Sequence, residues 1–107
     1  MITTSENINI HKTLKEGIDT NYTAGKVSLF ITCDNIQKRF NAYEITNSSK
    51  TSTGLIKFNN IQLWGDGNYS FYITAENDGD LDVSGVNLQR IDTGYIKKIT
   101  NSNTLNI

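Results

Sequence analysis

Proline is absent from this chain of 107 residues, and cysteine, histidine and tryptophan occur once each. A single cysteine rules out an intrachain disulfide, the device on which small secreted domains commonly lean. With one histidine and one cysteine, a thiol–imidazole pair could only be His11 with Cys33, and a structural zinc site, which takes four such ligands, is poorly supported. Without proline, the turns fall to Gly, Asn and Asp, which tolerate positive φ or hydrogen-bond their own backbone. Charge is sparse, at 20% of residues with a net value of -1. That argues against a nucleic-acid partner, which needs a basic stripe to displace counterions; the nearest approach to one is Lys97–Lys98. No apolar run has the length of a membrane span. The opening MITTSENINI lacks a basic segment followed by an apolar one, so no signal peptide is expected and the chain is expected to fold in a cytoplasm.

Asn, Ser and Thr fill the composition instead. In helix interiors their side chains compete for backbone hydrogen bonds, whereas Thr, Ile, Val, Tyr and Phe suit strands. The length fits one domain spanning 1–107, burying roughly two-thirds of its unfolded surface. Alternation marks the strands. Residues 7–14 place Ile8, Ile10 and Leu14 on one face. Residues 26–33 place Val27, Leu29, Ile31 and Cys33 on one face, with Phe30 interrupting the polar one. Residues 39–46 offer either Phe40 and Ala42 or Tyr43 and Ile45. TNSSKTSTG reads as a polar loop, 55–63 as a strand with a bulge at Asn59–Asn60, and WGDGN as a corner. Residues 69–75 alternate Tyr69, Phe71, Ile73 and Ala75. NDGD is a hairpin turn, and 81–99 reads as a last section interrupted by a second turn at Asp92–Gly94. HKTLKEGI allows at most one helical turn, ending at Gly17. Six to eight strands with short connections predict a single antiparallel β-sandwich.

The stretch GDGNYSFYITAEND narrows this expectation. Immunoglobulin-type sandwiches anchor a corner with a tyrosine at the start of the penultimate strand and place a core residue, commonly a cysteine, two positions later. Tyr69 and Phe71 stand in that relation, with a large apolar side chain in place of the thiol. The all-β fold is therefore expected to be immunoglobulin-like, with Val27, Leu29, Ile31, Phe71 and Ile73 in one core.

Candidates for chemistry are few. Cys33 shares the phase of Ile31 and reads as a buried packing thiol, and no catalytic or cofactor-binding residue is expected. Asp78, Asp80 and Asp82 alternate as the carboxylates of a calcium loop do. Val83 and Gln89, however, stand where such a loop needs glycine and glutamate, so a solvated turn is the stronger reading. The acceptor patterns at Asn21, Asn47 and Asn68 are what chance supplies in so Asn- and Ser-rich a chain. Trp64, Tyr69, Tyr72 and Phe30 could form a sugar platform, but alternation turns Tyr72 away from Tyr69. Trp64 reads as a core cap or an interface anchor. The apolar residues spaced through the polar ends, Ile2, Leu105 and Ile107, suit strand addition to a partner, and Ile8 and Ile10 mark a strand with little charge to protect its edge.

Four segments together carry a resemblance: the polar opening strand, KVSLFITCD, GNYSFYITAEND and IDTGYIKKI. In these the chain resembles the small β-sandwich auxiliary proteins, capsid decoration or head–tail components, of crAss-like and related tailed bacteriophages of Bacteroidetes. The resemblance implies a non-enzymatic virion protein. It would be present in many copies and would dock onto major capsid or head–tail proteins. It would be assembled in the host cytoplasm and would engage no membrane, nucleic acid, cofactor or small-molecule substrate. The alternative expectation is a carbohydrate- or surface-binding sandwich of the fibre or adhesion type.

Overall fold

The structure, a computed structural model, describes residues 7–64, 68–76, 88–97 and 103–107. The described residues form eight strands and one short 3-10 turn. The strands are β1 (Asn7–Leu14), β2 (Val27–Cys33), β3 (Ile36–Asn41), β4 (Glu44–Thr46), β5 (Gly54–Gln62), β6 (Asn68–Glu76), β7 (Leu88–Lys97) and β8 (Thr104–Asn106). They make two four-stranded sheets, ordered β4-β5-β1-β8 and β3-β2-β6-β7. Taken along the chain, β1 to β7 fill the places of strands B, C, C′, D, E, F and G of a variable-type immunoglobulin sandwich. The place of strand A is taken by β8. Its pairing with β1 is the one parallel pairing among the described strands.

The core lies between the sheets where alternation puts it. Ile8, Ile10, Val27, Leu29, Ile31, Cys33, Ile56, Phe58, Ile61, Tyr69, Phe71, Ile73 and Ile96 belong to one buried cluster. The bulge expected at Asn59–Asn60 is present. Ile8 faces Ile61 and Ile10 faces Phe58, so two residues of β5 oppose Asn9 alone. Asn60 absorbs the extra residue with φ 59, and its N–H donates to Asn9 Oδ1 at 3.3 Å. Lys12 shares the inward phase of Ile8 and Ile10, and its ammonium meets Asp92 of β7 at 3.0 Å, so this side of the sandwich is closed by an ion pair.

Several sequence expectations are corrected. β1 is not an edge strand: β5 flanks it on one side and β8 on the other. Ile8 and Ile10 are buried in the cluster between the sheets, as core residues rather than interface residues. Leu105 and Ile107 are not a docking tail. Both pack against the core, and Ile107 N–H donates to His11 O at 2.9 Å. Residues 39–46 are not one strand. Ala42 N–H bonds Val27 O in one sheet, and Tyr43 N–H bonds Lys57 O in the other. The chain changes sheets between these two residues, which is why Phe40, Ala42 and Ile45 can all reach the core despite their mixed phase. Residues 92–94 make no turn; β7 runs straight through them. HKTLKEGI stays within the expected limit of one helical turn: it holds the end of β1 and a turn in which Gly17 takes φ 101.

The hairpin joining β2 and β3 has no counterpart among the sequence expectations. Asp34 and Asn35 adopt φ 53 and 64, and Cys33 faces Ile36 across them. This is the two-residue primed turn that Asp and Asn favour. The polar loop TNSSKTSTG proves to be a clamp. Asn47 Oδ1 accepts from Tyr22 N–H at 2.8 Å and from the Thr20 hydroxyl at 3.0 Å, and its Nδ2 donates to Tyr22 O. Ser48 donates its hydroxyl to Ile18 O and its N–H to Thr20 Oγ1.

Candidate binding surfaces

The outward face of the β3-β2-β6-β7 sheet carries the least ordinary chemistry. Register makes Phe30 the neighbour of Arg39 on one side and of Tyr72 on the other. The Phe30 and Tyr72 rings stack at 4.8 Å with an interplanar angle of 16°. The Arg39 guanidinium lies 5.6 Å from the Phe30 centroid, and that of Arg90 lies 3.9 Å from the Tyr72 centroid. A cation–aromatic–aromatic–cation row therefore crosses all four strands. Phe30, which breaks the polar phase of β2 in the sequence, is explained by this row.

The two arginines are held differently. Arg39 Nε donates to Ser28 Oγ at 3.1 Å, and Ser28 donates in turn to Asn41 Oδ1. Glu76 stands 3.9 Å from Arg39. Arg90 makes no ion pair with any described residue and rests on Tyr72 alone. Its orientation comes from a bulge. Ile96, Gly94 and Asp92 lie on the core-facing phase of β7, and strict alternation would put Arg90 there too. Instead Ile73 faces Asp92 while Thr74 faces Arg90, so Ile91 is inserted and Arg90 is turned outward. Re-aiming a side chain is a recurrent use of such bulges.

Beside Arg90 lies a cleft of about 310 Å³ whose walls include Ser70, Tyr72, Thr93 and Tyr95. Tyr95 is 83% exposed, the most open of the large apolar side chains. Gly94 lets the strand pass close over the core: a Cβ there would lie 2.8 Å from the Phe71 ring.

The second surface is the outer edge of β3, where no described strand pairs. Every residue of β3 is exposed or half-exposed. Ile36 at its start is 48% exposed, and Tyr43 just past its end is 68% exposed.

The other candidates from the sequence fall elsewhere. Trp64 is a core cap: its Nε1–H donates to Cys33 O at 3.3 Å, its ring meets Tyr69 edge-on at 5.1 Å, and Lys38 lies over it. Tyr69 is fully buried. His11 falls on the outward phase of its sheet, whereas Cys33 is buried on the inward face of the other, so the layout keeps the pair apart. Ile2, Asp78, Asp80 and Asp82 lie outside the described residues. Among the described residues, no three His, Cys, Asp or Glu side chains stand close enough to hold a metal ion. Sequence reasoning missed Arg90 because the bulge at Ile91 breaks the period beside it, and Tyr95 because residues 92–94 read as a turn rather than as part of β7. No protein-family model, curated protein or solved structure matches this chain.

Proposed function

We propose that the protein is a non-enzymatic structural component of a tailed-phage virion, an auxiliary capsid protein that docks onto other virion proteins along the edge of β3. The observation that carries this reading is that edge itself. It is six residues long, unpaired among the described strands, and flanked by the exposed apolar anchors Ile36 and Tyr43. Strand addition at such an edge draws affinity from backbone hydrogen bonds and specificity from flanking side chains. Lys38 and Arg39 discourage indiscriminate pairing there. β4, β7 and β8 are edges too. β4 and β8 offer little to a partner, with three residues each, and the longer β7 is broken by the bulge at Ile91, a feature that blunts an edge against pairing. The experiment is the double substitution Ile36→Glu with Tyr43→Glu. Both side chains are exposed, so the isolated protein is expected to keep its melting temperature while incorporation into particles is lost. Normal incorporation of the variant would refute docking at β3.

The cleft beside Tyr95 favours a second reading, a carbohydrate- or surface-binding module. Glycan binding by the isolated protein, without copurification with particles, distinguishes it from the first.

A further inference from the structure

We infer that the cleft between Arg90 and Tyr95 binds a carboxylated pyranose, a uronic or sialic acid unit of a glycan; this rests on the carbohydrate-binding reading and names the ligand class of that site. Arg90 supplies the charge. A guanidinium presents five N–H donors in a planar fork that matches a carboxylate in a two-bond arrangement. This one has no acidic partner among the described residues, and its Cζ lies over the Tyr72 ring, 3.9 Å from the centroid. Tyr72 is backed in turn by Phe30. The donor fork is thus positioned before any ligand arrives, which lowers the ordering cost of binding.

The bulge sets this site apart from an ordinary sheet surface. One inserted residue, Ile91, moves Arg90 from the core phase to the outer face. Thr74, in register with Arg90, is buried, and its hydroxyl has no hydrogen-bond partner among the described residues. Buried hydroxyls are seldom left so.

The remaining walls suit a sugar. Tyr95 offers a nearly bare aromatic ring on which the C–H face of a pyranose can lie, and the hydroxyls of Ser70 and Thr93 can exchange hydrogen bonds with ring hydroxyls. A volume of about 310 Å³ lies at the lower end of small-molecule sites. A peptide lying across this face is served less well, because β6, which forms part of the floor, is paired with β2 on one side and β7 on the other. A chain lying across the face would find no main-chain partners.

The test is titration of the isolated protein at low ionic strength, followed by amide chemical shifts. The probes are trigalacturonate and 3′-sialyllactose, with maltotriose and lactose as their neutral counterparts. At least one acidic probe is expected to bind ten-fold or more tighter than its neutral counterpart and to shift residues 70, 72, 93 and 95; which acidic probe binds identifies the source. Arg90→Gln should abolish the preference for acid, while Arg39→Gln, the same change of net charge elsewhere on the face, should leave it intact. Tyr95→Ala should weaken every sugar ten-fold or more with the melting temperature unchanged. Equal binding of acidic and neutral sugars, or equal loss in the two arginine variants, would overturn the carboxylate assignment while leaving the carbohydrate reading standing. No shift with any of the four sugars would overturn both.

Discussion

Gly54→Ala adds one methyl group and is expected to be among the most damaging changes the chain can suffer. Gly54 is buried at the start of β5, opposite Leu14. A Cβ there would sit 2.3 Å from Thr46 O, 2.6 Å from Ser48 N and 2.7 Å from the Asn47 carbonyl carbon. All three are backbone atoms, so no rotamer change relieves the clash. Relief requires residues 46–48 to retreat by about 1 Å, since ordinary contacts begin near 3.4 Å. The clamp holds them. Asn47 is bonded three ways to Thr20 and Tyr22, and Ser48 is bonded to Ile18 and Thr20. Overpacking alone costs about 1–3 kcal/mol. Each clamp bond broken adds about 1 kcal/mol, more where a buried group is left unsatisfied. A loss of about 3–5 kcal/mol follows, a large share of the 5–15 kcal/mol that a domain of this kind typically has. In a domain near this size about 1 kcal/mol moves Tm by 4–8 °C, so thermal melts should show a fall of about 12 °C or more. Gly25→Ala is the control. It has open space around its Cβ position and no positive φ, so its effect should stay within about 0.5 kcal/mol. Adding Asn47→Ala should reduce the penalty of Gly54→Ala, because the loosened loop can then yield, and a double-mutant cycle reads that coupling directly. A fall of less than about 4 °C for Gly54→Ala would show that the clamp does not hold the loop, and the reasoning would fail.

Two further outcomes test the core. Leu105→Ala should cost about 2 kcal/mol as a truncation of a packed side chain, and deleting residues 104–107 should lower Tm as well; an unchanged Tm after deletion would mean that β8 adds nothing to the sandwich. Cys33→Ala should cost of order 1 kcal/mol, and a bulky thiol reagent should label the native protein no faster than it opens; rapid labelling would contradict the burial of Cys33.

Where an element follows one period and meets its neighbours locally, its sequence was enough to determine it. β2 and β6 alternate cleanly, so their buried faces, the core shared by Val27, Leu29, Ile31, Phe71 and Ile73, and the all-β sandwich are legible in the residues alone. The bulge at Asn59–Asn60 was legible for the same reason: an interrupted alternation with Asn at the break signals an inserted residue. The Asp34–Asn35 turn carries an equally local signal, two residues tolerant of positive φ between two apolar runs. Tertiary structure alone decided the rest. Ile8 and Ile10 look the same on an edge strand as on a central one, and only the return of β8 to the flank of β1 makes that strand central. Leu105 and Ile107 look the same on a docking tail as on a strand that closes its own sheet, because the hydrogen bonds that separate the two cases join residues almost a whole chain apart. Arg90 is the sharpest case. Period two assigns it to the core face, and a single inserted residue, visible only once β7 is laid against β6, turns it outward onto Tyr72. Local pattern encodes which face a residue prefers; register against distant strands, where pairing energy is shared over the whole sheet, decides which face it receives.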